Sequence, residues 1–115
     1  MKILNLTQNT LLATQGSIAD TFGSRMKGLL GRTHLNPQEA LLITQCHSIH
    51  MFFMKFSIDA IFIDRNNRVV CVIEGIKPFT LSPIFWNAKC VVEVPKGTIQ
   101  RSKTTFGDQL EIQEL

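Results

Sequence analysis

Two side-chain types that bind transition metals and act as nucleophiles or bases stand together at Cys46-His47-Ser48-Ile49-His50. Thiolate and imidazole are natural ligands of zinc and copper. Spacing argues against a simple cage. In a strand, Cys46 and His50 share a face but lie ~13 Å apart along it, at ~3.3 Å per residue. Metal–ligand bonds of about 2.1–2.3 Å do not bridge that gap unless a bulge bends the chain. His47 points to the face opposite Cys46. The same residues admit a cysteine nucleophile with His50 as base and Asp59 or Asp64 orienting it. That reading lacks a Cys at the start of a helix, where a thiolate is stabilised. The pattern favours histidines hydrogen-bonded at the edge of the core. A metal-dependent or thiol enzyme using Cys46, His47 and His50 is the alternative.

Asp59 is the acid in the most apolar surroundings. In strand parity it shares a face with Ile61 and Ile63, while Ile58, Ala60 and Phe62 occupy the other. Both faces are apolar, so the carboxylate is expected to be at least partly buried and to need a partner. Lys55, Arg25, Arg32 or His50 can supply one, and a structural ion pair or a turn-capping role accounts for the pattern. The functional reading groups Arg32, His50, Lys55 and Asp59 into a polar groove. It makes the protein a non-catalytic binding or accessory module whose ligand is a small molecule or a protein. The sequence implies no cofactor. Asp108, after Gly107, reads as an ordinary turn residue.

These residues must be positioned by β structure. Residues 2–7 and 10–15 read as strands joined by a two-residue turn at Gln8-Asn9. Phe22, Met26, Leu29 and Leu30 then follow helical spacing, and Gly31 suits the left-handed residue that ends a helix. One short helix is therefore expected over 21–30. Strands follow at 40–45, His47–Lys55, 58–64 and 69–76, with Asn66-Asn67 turning the last pair. Lys77 to Asn87 carries two prolines with Phe79, Phe85 and Trp86. It reads as a long loop with buried aromatic anchors, of a length that is often functional. Strands at 88–94 and 110–112 close the chain. Seven or eight strands with one short helix, at regular spacing, indicate a mainly β fold, a small sandwich or barrel.

Composition supports one such domain over residues 1–115. The 115 residues are 44% hydrophobic and 18% charged, the opposite of a disordered chain. The net charge is +3, but the basic residues are scattered apart from Arg25, Lys27 and Arg32. No aromatics interleave with that group, which weighs against nucleic acid as partner. Cys46, Cys71 and Cys90 form no Cys-x-x-Cys unit. Cys71 and Cys90 lie in apolar strands and read as core residues, so a reducing compartment is expected. No apolar run is long enough for a secretory leader or a membrane span, which makes the cytoplasm the expected location.

The order of several blocks resembles the prokaryotic family named domain of unknown function 192. Arg25-Met26-Lys27-Gly28-Leu29-Leu30-Gly31-Arg32 is similar to its opening motif. His50 to Asp64 is similar to its central aromatic-rich signature ending Phe-Ile-Asp. Val92-Glu93-Val94-Pro95-Lys96-Gly97 and Gly107-Asp108 resemble its later blocks. The chain departs at Leu30, Ser57 and Lys96, where Met, Pro and Ala are usual. The resemblance implies a compact β-rich fold with a short helix and no established reaction.

Overall fold

The computed structural model describes residues 1–20, 29, 32–51 and 54–114. The strands are β1 (Lys2–Asn5), β2 (Thr10–Ala13), β3 (Gln15–Ala19), β4 (Glu39–Thr44), β5 (Ile58–Ile63), β6 (Val69–Ile76), β7 (Cys90–Pro95) and β8 (Leu110–Gln113). One short helix, α1 (Thr98–Ser102), separates β7 from β8. The helix expected over 21–30 lies outside the described residues, except that Leu29 is helical and buried.

Two sheets form, one of order β2-β1-β8 and one of order β3-β4-β7-β5-β6. Neither closes into a barrel. All neighbours pair antiparallel except β3 and β4, which run parallel with Gln15 opposite Glu39. β3 was not anticipated: Gln15-Gly16-Ser17 has weak strand preference, and pairing with β4 supplies what propensity does not. The first hairpin pairs Asn5 with Thr10. Its loop therefore has four residues rather than two, with Asn9 in the left-handed region at φ 55°.

The central strands of the larger sheet are buried on both faces, and for this reason β5 reads as an unbroken apolar run around Asp59. One face packs on the small sheet, with Leu42, Ile61, Ile63, Val92 and Val94 meeting Ile3, Leu12 and Leu110. The opposite face, built on Leu41, Ile43, Ala60, Phe62 and Val91, is covered by Leu35, Ile49, Met51, Met54 and Ala88 from irregular segments. Full burial of each such side chain contributes about 1.5–3 kcal/mol.

Of the strand expected at His47–Lys55, Phe52 and Phe53 lie outside the described residues, and residues 47–51 form one arm of an irregular ribbon instead. Residues 47–51 and 79–85 run side by side, held by Met51 N–H to the Thr80 carbonyl (2.8 Å), Phe79 N–H to Met51 (2.7 Å), Ser82 N–H to Ile49 (2.9 Å) and Phe85 N–H to His47 (2.8 Å). Only His50 and Leu81 form a β-bridge. Pro78 and Pro83 lack the N–H groups that a regular ladder needs. Among the described residues no helix is long and apolar enough to cross a membrane.

Candidate functional site

Of the four residues expected to form a polar groove, Arg32 and Asp59 are engaged with different partners. Arg32 forks onto Glu39, with Nη2 to Oε1 at 2.6 Å and Nη1 to Oε2 at 2.8 Å. That guanidinium holds the Glu39 carboxyl down at about 2, helped by the Asn36 N–H and opposed by desolvation. Lys55 is exposed and His50 sits in the ribbon beside Leu81.

Asp59 is fully buried, as its strand parity predicts, and acts as a structural acid. Its Oδ1 accepts the Gly75 N–H at 2.8 Å, and Oδ2 accepts the N–H groups of Gly97 and Ile99 at 3.0 Å each. A bulge in β6 turns Gly75 inward: between the pairs Ala60–Ile73 and Ile58–Ile76, β6 carries one residue more than β5. Gly75 takes φ 61° there, a conformation glycine adopts without strain. α1 starts at Gly97, which has no side chain to cap its first N–H groups. Asp59 supplies that cap from the adjoining strand.

Asp108 is likewise more than a turn residue. It is buried and binds Asn5 Nδ2 (3.0 Å), Gln8 Nε2 (3.2 Å) and the Thr105 N–H (3.0 Å). These bonds tie the C-terminal turn to the first hairpin. Glu93, also fully buried, pairs opposite Leu41 and Ala60 in the large sheet and shares the face of Val91.

Cys46, His47 and His50 are not drawn together around an ion. Cys46 Sγ donates to the Ser48 carbonyl at 2.8 Å, and His47 Nδ1 donates to the Ala88 carbonyl at 2.8 Å. Among the described residues no three His, Cys, Asp or Glu side chains are grouped to hold a metal. Burial pushes the Cys71 and Cys90 thiols up from their ordinary range. Both are half-buried free thiols packed against the two core clusters, which fits the core role read from the sequence.

A separate concavity lies among the described residues. A groove of about 600 Å³ is lined by Asp64, Arg65, Arg68, Trp86, Lys89 and Phe106, among others. Three turns build it. In the β5–β6 turn, Asp64 Oδ1 accepts the N–H groups of Asn66 (2.8 Å) and Arg68 (3.0 Å), and Asn67 takes φ 61°. The turn at Gly107 docks on it through Arg68 Nη1 to the Gly107 carbonyl (2.9 Å) and Gly107 N–H to Val69 (2.8 Å). The third turn, Phe85 to Ala88, is anchored from below. Phe85 packs on Phe62 with ring centroids 4.6 Å apart, and Lys89 N–H reaches the Ile63 carbonyl at 2.8 Å.

With Phe85 pointing inward, Trp86 points out. It is 73% exposed and Phe106 is 75% exposed. Only Phe85 of the three expected aromatic anchors serves as one, because Phe79 is also exposed. The His47 ring stands 5.5 Å from the Trp86 ring and supports it from behind. Arg65, Arg68 and Lys89 give the groove a positive field against the single carboxylate of Asp64, itself occupied by backbone N–H groups. The ionisable groups of the lining are Asp64, Arg65, Arg68 and Lys89. The sequence reading missed this groove. Its local signals were the paired arginines of the Asn66-Asn67 turn and the lone Trp in a long loop.

The model of the family domain of unknown function 192, described as an uncharacterized ACR, matches residues 4–112. The chain belongs to that family. A UPF0127 protein of Pyrococcus horikoshii is 36% identical over 95% of this chain and 96% of its own length. A UPF0127 protein of Thermococcus sibiricus is 33% identical over 95% of this chain and 73% of its length. A solved structure of a protein of unknown function from Novosphingobium aromaticivorans superposes with a TM-score of 0.80 at 21% identity. It covers 96% of this chain and 82% of that one. The likeness to that structure shows the shared fold. The family and these relatives carry no named function. The matched range contains both buried acids, Asp59 and Asp108, that hold turns in place.

Proposed function

We propose that this protein is a non-catalytic binding module whose ligand occupies the groove between the β5–β6 turn, the Phe85–Ala88 turn and Gly107. The observation that carries this reading is the pairing of two exposed aromatic rings, Trp86 and Phe106, with Arg65, Arg68 and Lys89 around one concavity. Exposed aromatic surface favours a flat apolar group, and guanidinium groups favour an anion. The ligand class is a small anion carrying a flat apolar part. A volume near 600 Å³ falls within the ordinary range of small-ligand sites. This reading keeps the binding module expected from the sequence and moves its groove away from Arg32, His50, Lys55 and Asp59. Arg32 and Asp59 are already occupied by other partners. A cytoplasmic location accompanies it, supported by the free thiols of Cys71 and Cys90, which a reducing compartment maintains.

The chain contains one Trp and no Tyr, so its tryptophan emission reports on Trp86 alone. Titration with AMP, adenosine and inorganic phosphate tests the two halves of the ligand separately. AMP is expected to quench the emission saturably and more tightly than either fragment. Arg65→Gln with Arg68→Gln should weaken AMP by about tenfold or more, the loss expected for charge-assisted hydrogen bonds. Equal response to adenosine and AMP, or no effect of the arginine changes, refutes the reading.

A further inference from the structure

The ribbon formed by residues 47–51 and 79–85 presents large apolar side chains to solvent. Phe79 is 64% exposed, Leu81 66% and Ile84 54%, with Trp86 at the end of the run. All four fall within the single stretch 79–86, the outer arm of the ribbon and the turn that follows it. Several large exposed apolar side chains concentrated in one short segment mark an interaction site.

Phe79 is held outward against a conformational cost. It has φ 62° in the turn Lys77–Thr80, which is closed by Thr80 Oγ1 donating to the Lys77 carbonyl at 2.6 Å. Pro78 precedes it, and the third position of such a turn suits Gly or Asn. A bulky residue in the left-handed region costs about 1–2 kcal/mol. Backbone strain of this kind clusters at functional sites.

Charge identifies what covers the surface. Segments 46–58 and 77–89, which contain both arms of the ribbon, hold Lys55, Lys77 and Lys89 and no Asp or Glu. The chain has twelve Lys and Arg against nine Asp and Glu, so the other residues balance at nine of each. The whole net charge of +3 therefore belongs to the two segments that carry the apolar ribbon. All three lysines are exposed.

We infer that this ribbon docks on the surface of an anionic lipid bilayer, with Phe79, Leu81 and Ile84 entering the interface and Lys55 and Lys77 meeting the headgroups. Aromatic and aliphatic tips with a lysine rim match the chemistry of that boundary. The contact is peripheral and requires no spanning segment. It does not depend on the groove at Arg65 and Arg68, whose residues the test leaves unchanged.

The test is co-sedimentation of the full chain with vesicles of equal parts phosphatidylcholine and phosphatidylglycerol, with pure phosphatidylcholine as control. Binding is expected to the anionic vesicles, with a blue shift of Trp86 emission. Lys55→Gln and Lys77→Gln should each weaken partitioning about fivefold. Phe79→Gly, Leu81→Ser and Ile84→Ser should weaken it about fivefold each and on the order of a hundredfold together. Far-ultraviolet circular dichroism and the melting temperature confirm that each variant is folded. Phe79→Gly relieves the turn and serves alone if the triple variant does not fold. The inference is overturned if the protein stays in the supernatant with anionic vesicles. It is also overturned if the apolar variants bind as the parent does, which is adsorption by charge alone. Sedimentation velocity showing a dimer that the same substitutions dissociate would assign the ribbon to a second copy of the chain instead.

Discussion

Replacing Asp59 with asparagine changes one atom of a buried carboxylate, and the consequence follows from its three hydrogen bonds. Oδ2 accepts from Gly97 and Ile99 and Oδ1 from Gly75. An amide can turn its oxygen toward Gly97 and Ile99, keeping two bonds without their charge. Its NH₂ then faces the Gly75 N–H, donor against donor. Losing one charge-assisted bond and leaving a buried donor unmet costs about 2–3 kcal/mol. Asp59→Ala removes both acceptor oxygens and with them all three bonds, and should cost about 5 kcal/mol, near the whole stability of a marginal domain. For a chain of this size Asp59→Asn corresponds to a fall in melting temperature of roughly 8–12 °C. Urea unfolding followed by far-ultraviolet circular dichroism measures it, with an unchanged slope showing that the native fold is retained. Hydrogen exchange at Gly75, Gly97 and Ile99 should rise in the variant more than exchange elsewhere. An Asp59→Asn protein melting within about 2 °C of the parent would refute the capping role.

The Arg32–Glu39 pair makes stability sensitive to acid. The folded-state value of Glu39 lies at about 2 against an ordinary 4.5, so its contribution is present above about 4.5 and is lost as pH falls toward about 2. Arg32 is about one-third exposed, which limits the pair to about 1 kcal/mol at neutral pH. Arg32→Gln should cost that much there and nothing at the acid end, as read from urea midpoints across the range. Cys71 and Cys90 have thiols raised by burial, so iodoacetamide should modify them about tenfold or more slowly in the folded than in the unfolded chain. Peptide mapping by mass spectrometry checks this, and equal rates would contradict it. Gly97→Ala meets no atom within 4 Å but must hold φ 98°. It should cost about 1–2 kcal/mol through backbone strain alone, seen as a lowered urea midpoint.

Much of the strand content was legible because the side-chain pattern is local. β4, β5, β6, β7 and β8 appear within a few residues of their sequence-based bounds. The burial of Asp59 followed from parity, since both faces of its strand are apolar. α1 and β3 were not legible, for different reasons. α1 is five residues long, and its cap comes from Asp59, remote in sequence. β3 is polar and glycine-containing, and only its pairing with β4 makes it a strand.

The candidate site divides in the same way. The sequence alone determined that the fold is mainly β, that residues 4–112 match an uncharacterized family, and that Asp59 needs buried partners. It could not determine who those partners are, because they lie on β6 and at the start of α1. Nor could it show that Trp86 faces solvent while its neighbour Phe85 meets Phe62. The groove exists only because the turns at Asn66-Asn67, Trp86 and Gly107 converge. Residue pattern is set within a turn or a strand, whereas exposure and convergence depend on which distant segments cover each face. That is decided when the two sheets and the irregular layer pack together.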